Sequence, residues 1–420
     1  LAASDVDLTN EYTEEQMVYD DGLWWVSYKL KPLEASAPTL YNVWVAGTQV
    51  TSANASDVLG DGAASYNPTT NTLTVKKNIT ATDAIAIKAS TTENFNVAFA
   101  NNATITAANA MGIYSEISSL NITGKEISVS ASSVAIQGYN DVTISCDKLT
   151  VESTNSGGIN AANGIATING SENSVIVINA LNGDAIQGYN GIAIAGGKLD
   201  ITGKYGMYSY AGATALTVKE INIKADSTAI LGSEDATINS GKLSIESTNG
   251  GGISVYPGKV IINGGENGEI KLTTPNGDAI QGGGGITIAG GKLDITGNYG
   301  IYTANGTLEL TVKEISVKSE HSAIFGNESV TIDCDSATVV AGTIGLNTAG
   351  SIIIKNGVFD IQSTDTTASD AYNSALYFED AFTYPTGATV TGAPIVNGEF
   401  EPYDAAKNAT YDHVKITVPA

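Results

Sequence analysis

Tyr114, Gln137, Asn160, Gln187, Tyr208, Leu231, Ser254, Gln281, Tyr302 and Phe325 share one setting, each following an apolar residue that is itself preceded by a small one. The steps between them are 23, 23, 27, 21, 23, 23, 27, 21 and 23 residues. Regular spacing of this kind lines side chains up when the chain coils on itself. Aromatic rings stack on the faces of sugars, and amides offer both donors and acceptors to hydroxyls. Tyr114, Gln137, Gln187, Tyr208, Gln281 and Tyr302 are therefore the candidate carbohydrate-binding residues. The same residue types also stack as ladders that stabilise a coiled backbone without any ligand, so both readings stand at this point.

Other groups carry less chemistry. Asp184 and Asp278 precede an Ala-Ile-Gln-Gly run, Asp200 and Asp294 sit in later strands, and Glu152 and Glu246 occupy a further equivalent position. Stacked carboxylates and carbonyls can hold calcium, which takes six to eight oxygens, but no contiguous calcium loop is present. Asp83, Asp184 and Asp278 read first as turn formers. A glycosidase needs two carboxylates about 5 to 10 Å apart across a scissile bond, and among 44 acidic residues such pairs arise by chance. His321 and His413 belong to no nucleophile or metal motif and read as solvated surface residues. Thr123, Thr143, Thr217, Thr237, Thr287, Thr311 and Thr331 read as a single outward file of strand formers, which is not the broad paired array that an ice-binding plane needs.

The elements that position these residues follow from a repeat. The segment from Gly183, GDAIQGYNGIAIAGGKLDITGKYGMY, recurs from Gly277 as GDAIQGGGGITIAGGKLDITGNYGIY, 94 residues later. Short alternating apolar runs such as Ile192-x-Ile194 and Leu199-x-Ile201, punctuated by Gly-Gly, are strands and turns rather than helices. A leucine-rich repeat has a comparable period, but its pattern is absent. The expected fold is all-β: a right-handed, single-stranded parallel β-helix of about 12 coils of 21 to 27 residues, each coil burying its apolar row only by stacking on its neighbours. Residues 1–71 read as an N-terminal β-rich cap holding Trp24, Trp25 and Trp44 with a break at Pro32 and Pro38. Residues 72–371 read as the β-helix, with units at 90–183, 184–277 and 278–371, and residues 372–420 as a C-terminal cap. Cys146 and Cys334 are two units apart, about 38 Å at the coil spacing, far beyond the reach of a disulfide, and read as small strand residues.

Composition excludes several functions. The 420 residues carry 44 acidic and 20 basic side chains, a formal charge of −24, and every basic residue is Lys. Nucleic-acid backbone binding, which rests on clustered Lys and Arg, is excluded. No apolar stretch is long enough to span a membrane, and Leu1 to Ser4 shows no basic and apolar leader. An acidic surface low in Lys suits a secreted bacterial protein, so an extracellular or cell-surface location, with any signal peptide already removed, is the expectation.

Two stretches, Tyr41 to Asn71 (YNVWVAGTQVTSANASDVLGDGAASYNPTTN) and the recurring GDAIQGYNGIAIAGGKLDITG, resemble secreted carbohydrate-binding proteins of clostridia and related gut bacteria, of the cellulose- and pectin-binding β-helix type. The resemblance implies a pectate-lyase-like right-handed β-helix, an extracellular location, calcium, and binding of acidic plant polysaccharide. One departure matters. Where that family carries a Gly-Asp-Asp-Gly-Ile turn, this chain has Lys204-Tyr205 and Asn298-Tyr299, which weighs against calcium at those turns.

The expected function is polysaccharide binding, adhesin-like and non-catalytic, with calcium as the bridge if the glycan is acidic. Two alternatives stand beside it. A lyase or hydrolase acting on pectin-like substrates is disfavoured by what the resemblance implies, since the enzymes of that fold use a basic residue, commonly Arg, and this chain has no Arg, although Lys could substitute in some lyases. A structural surface protein would need no small ligand.

Overall fold

The structure, a computed structural model, describes residues 12–30, 37–364 and 373–419. Leu1 to Ser4, Pro32 and the expected boundary at 371 lie outside them. The chain is all-β, a parallel β-solenoid of about 13 turns with ~23 residues per turn.

Each turn contributes a strand to three parallel sheets, and the register shows which residues stack. The first sheet is built from short strands such as Ile87–Ala89, Ile113–Ser115, Ile136–Gly138 and Ile159–Ala161. The second runs through Phe95–Phe99, Leu120–Gly124 and Val142–Ser145, and the third through Thr104–Ala107, Glu126–Ala131 and Lys148–Ser153. Inward residues alternate with outward ones along every strand, as the pleat requires. The Ile, Leu and Val rows fill a continuous interior in which Ile113, Ile136, Ile186 and Ile280 are fully buried.

A finer regularity underlies this stacking. The residue before each inward position of the first sheet alternates without exception: Ala86, Gly112, Ala135, Gly158, Ala185, Gly206, Ala229, Gly252, Ala279, Gly300, Ala323, Gly345, Ala375. A Cβ placed on Gly112, Gly206 or Gly300 would lie 2.4, 2.4 or 2.3 Å from the carbonyl oxygen of the Ala one coil on. The recurring Gly-Ile-Tyr and Gly-Met-Tyr triplets thus mark coils whose backbone approaches its neighbour too closely for a side chain.

Both ends are covered. At the N-terminal end, Leu40–Val45 forms a hairpin with Thr48–Thr51 and pairs antiparallel with Ile87–Ala89, closing the edge of the first sheet. Tyr12–Asp20 and Leu23–Leu30 form a separate two-stranded sheet. At the other end, parallel pairing runs on through Phe382–Thr383. Strand Ser374–Phe378 adds one coil to the twelve expected. His413–Thr417 then lies antiparallel on the last strand of the third sheet, with Thr389–Ala393 outside it. Covered edges matter because an open terminal coil is a template for aggregation.

Two expectations are corrected by the register. The threonines form two outward files on the second sheet rather than one. Thr143, Thr237, Thr287 and Thr331 share the first with Asn121, Thr167, Ala193, Ala215, Ile261 and Glu309, while Thr123, Thr217 and Thr311 share the other with Ser145, Asn169, Asn239 and Asn263. The two groups sit two residues apart on the same strands, so equal spacing alone could not separate them. His413 is not a solvated surface residue: it is 1% exposed, because its strand packs onto the last coil.

Candidate functional site

The outward file of the first sheet reads Lys88, Tyr114, Gln137, Asn160, Gln187, Tyr208, Leu231, Ser254, Gln281, Tyr302, Phe325, Asn347 and Tyr377, each paired in register with the next. All six candidate carbohydrate-binding residues stand in it. Trp44 of the N-terminal hairpin heads the file, with Lys88 Nζ 5.5 Å from its ring centroid.

The file divides into two halves of different character. Toward the C-terminal end it satisfies itself: Ser254 Oγ donates to Gln281 Oε1 at 2.8 Å, and Tyr302 stacks on Phe325 with centroids 5.0 Å apart and planes 14° from parallel. Tyr299 meets Tyr302 edge-on at 6.3 Å and lies 4.9 Å from the exposed ring of His321. Toward the N-terminal end, Gln137, Asn160 and Gln187 occupy three successive coils, and among the described residues none of their side-chain amides has a hydrogen-bond partner. Asn160 Oδ1 is shut off from solvent as well, the one such orphaned side-chain atom among the described residues. A ladder built only for stability would bond amide to amide along the axis, because an unsatisfied buried polar group costs about 1–3 kcal/mol.

Beside this file runs a feature that linear spacing does not reveal. Tyr139, Tyr189, Tyr210 and Tyr256 lie just past the C-terminal ends of the first-sheet strands, 49%, 40%, 53% and 58% exposed. Their backbone N–H groups donate to the preceding coil at Ser115, Ala161, Gly188 and Gly232, which fixes them in one file. Tyr189 and Tyr210 stack with centroids 5.0 Å apart, and Tyr208 meets Tyr210 edge-on at 6.1 Å. Ile117 and Ile165, in neighbouring loops, are exposed as well. The signal is present in the sequence as the Gln-Gly-Tyr-Asn repeats at 137–140 and 187–190, two residues beyond the file that the spacing picks out.

Opposite this ridge a depression of about 240 Å³ opens against the amides, lined by Asn155, Asn160, Asn182, Asp184 and Gln187 among others. Asn182 is held by donation to the Thr154 carbonyl at 2.6 Å. Burial raises the Asp184 carboxyl above its usual range, against the opposing pull of Lys204, and burial likewise raises Asp278. The Tyr208 phenol is pushed up by burial and then by Tyr210 and Asp184.

The remaining candidates fall elsewhere. Asp200 faces outward on the third sheet, 3.4 Å from Lys198, which also meets Glu220 at 3.5 Å. Glu246 pairs with Lys224 at 3.4 Å, and Asp294 stacks between Lys271 and Ser316. These carboxylates are interleaved with lysines, as in the Glu126–Lys148 and Lys292–Glu314 contacts at 3.7 Å each. Asp184 and Asp278 stand four coils apart, about 19 Å. Among the described residues no three His, Cys, Asp or Glu side chains come together as a group that could hold a metal ion. Cys146 and Cys334 are free and buried, their thiols pushed up to about 11 and about 12 by desolvation. Such thiols are inert.

No helix among the described residues is long and apolar enough to cross a membrane. Comparison with protein-family models, curated proteins and solved structures gave no match.

Proposed function

We propose that this protein binds a polysaccharide along the first sheet, as a non-catalytic, secreted or cell-surface adhesin-like β-solenoid. The observation that carries this reading is the open strip of three unpartnered amides, Gln137, Asn160 and Gln187, bracketed by Tyr114 and Tyr208 and flanked by the exposed rings of Tyr139, Tyr189 and Tyr210. Rings supply stacking surfaces, and the amides supply both hydrogen-bond polarities. The two files run along the solenoid axis, so an extended chain of sugars fits better than a single small molecule.

Charge favours a neutral glycan. In a chain of net charge −24, the file from Tyr114 to Ser254 and the ridge from Tyr139 to Tyr256 carry no charged side chain. An acidic polysaccharide would meet no cation there and would face long-range repulsion. Calcium bridging is not needed for a neutral chain. Hydrolysis is not favoured on this face, because Asp184 and Asp278 are too far apart to flank one glycosidic bond.

Affinity electrophoresis tests the reading, in gels cast with hydroxyethylcellulose, xylan, galactomannan or polygalacturonate, with and without EDTA. Retardation by at least one neutral polymer, unchanged by EDTA, is expected. Retardation by none of the four, or by polygalacturonate alone and only without EDTA, overturns it.

A further inference from the structure

The internal repeat provides two versions of one site. Asn160 and Gln187 occupy the positions that Ser254 and Gln281 occupy one unit later, paired in the same register. In the later unit the shorter side chain closes the site, Ser254 Oγ donating to Gln281 Oε1 at 2.8 Å. In the earlier unit Asn160 and Gln187 form no such bond, and both side chains line the 240 Å³ depression.

We infer that Asn160 is the specificity-determining residue of the glycan-binding face, hydrogen-bonding through its side-chain amide with a hydroxyl that one neutral sugar residue of the bound chain directs into this depression. This inference rests on the reading of the first sheet as a polysaccharide-binding face. Three features set the chemistry of the group that enters. It must be a donor, because the unpaired Gln187 amide at the rim includes a carbonyl oxygen. It must also accept, because the Gln187 and Asn155 amides at the same rim are donors as well as acceptors. It must be uncharged or cationic rather than acidic, because the carboxyl of Asp184 lines the same depression and no lysine does. A sugar hydroxyl meets all three conditions. Binding sites that depend on hydrogen bonding an otherwise buried polar group discriminate strongly against ligands lacking the partner, since the protein group is then left unpaired.

The repeat supplies the test. Asn160→Ser installs the residue that the later unit uses, so its hydroxyl closes the earlier site by bonding to Gln187, as Ser254 bonds to Gln281. Retardation on the neutral polymer that retards the parent should weaken about tenfold or more, with a melting temperature equal to or above the parent's. Ser254→Asn opens the later unit in the same way and should raise the stoichiometry or strengthen retardation on that polymer. If Asn160→Ser binds like the parent while Tyr189→Ala with Tyr210→Ala loses binding, the face is right and the role of Asn160 is wrong. If the parent itself binds none of the polymers, the functional reading fails, and the inference with it. If Asn160→Ser unfolds, the Ser254→Asn variant decides: no gain on the polymer overturns the inference.

Discussion

Ser254 and Gln281 are hydrogen-bonded at 2.8 Å across adjacent coils, while their counterparts one repeat earlier, Asn160 and Gln187, are in register but unbonded. A stacked amide can serve the backbone or a ligand, and under the proposed function the two units divide these roles within one chain. Where the file serves the solenoid, its groups pair with one another and its rings stack, as Tyr302 does on Phe325. Where it is open, a row of exposed tyrosines runs beside it.

The ridge should carry binding. Replacing Tyr210 by Ala removes one ring of the stacked Tyr189–Tyr210 pair and should weaken retention on a neutral polysaccharide by about tenfold, the effect of losing roughly 1.4 kcal/mol. The double variant with Tyr189→Ala should abolish measurable retention. Both residues are 40% or more exposed, so melting temperatures should change little, and a thermal melt separates lost binding from lost fold.

The Ala/Gly alternation predicts a position-specific intolerance. Gly206→Ala places a Cβ 2.4 Å from the Ala229 carbonyl oxygen, and relieving that contact means prising two coils apart. A loss of about 1–3 kcal/mol is expected in chemical denaturation. Gly232→Ala, whose nearest contacts would be 3.5 Å away, should cost far less.

Asp184 should make the protein more stable in acid than at neutrality through this one group. Burial raises its folded-state pKa above the unfolded value, so the folded chain holds the proton more tightly, and stability falls as pH rises through that raised pKa. Asp184→Asn removes the penalty. Its melting temperature should exceed the parent's at pH 7 and match it near about pH 3, where the unfolded carboxyl is also protonated. A variant less stable than the parent at pH 7 contradicts this.

The C-terminal cap should depend on His413. Its Nε2 lies 2.9 Å from Asp360 Oδ1, its Nδ1 accepts from the Asn397 N–H at 3.3 Å, and Phe400 meets its ring edge-on at 4.8 Å. Burial works against the Asp360 carboxylate, but hydrogen bonds from Gln362 and His413, with the charge of Lys415, outweigh it and hold its pKa below the ordinary value. His413→Ala should cost about 1–3 kcal/mol and speed proteolysis within residues 373–419 before the coils are cut.

Much of this architecture can be read from sequence because a solenoid converts linear spacing into spatial stacking. The steps of 21, 23 and 27 residues place Tyr114, Gln137, Gln187, Tyr208, Gln281 and Tyr302 in one file, and the register bears that out. What spacing does not reveal is which members of the file are satisfied. That depends on side-chain length at single positions, Asn160 against Ser254, and on ring neighbours such as Phe325. The tyrosine ridge escapes a search by period because Tyr139, Tyr189, Tyr210 and Tyr256 occupy only some coils, with Ala162 and Ser233 between them. The two threonine files merge in the sequence because a shift of two residues keeps a side chain on the same face. The burial of His413 comes from a cap strand that no repeat encodes, so its place is not legible from the period.

Hydrogen–deuterium exchange measured with and without soluble cello-, xylo- and manno-oligosaccharides tests the central claim most directly. At least one of these neutral ligands should slow exchange at 136–140, 159–162, 186–190 and 207–211, and leave the second and third sheets unchanged. Protection confined to those other sheets, or absent with all three ligands at millimolar concentration, contradicts it.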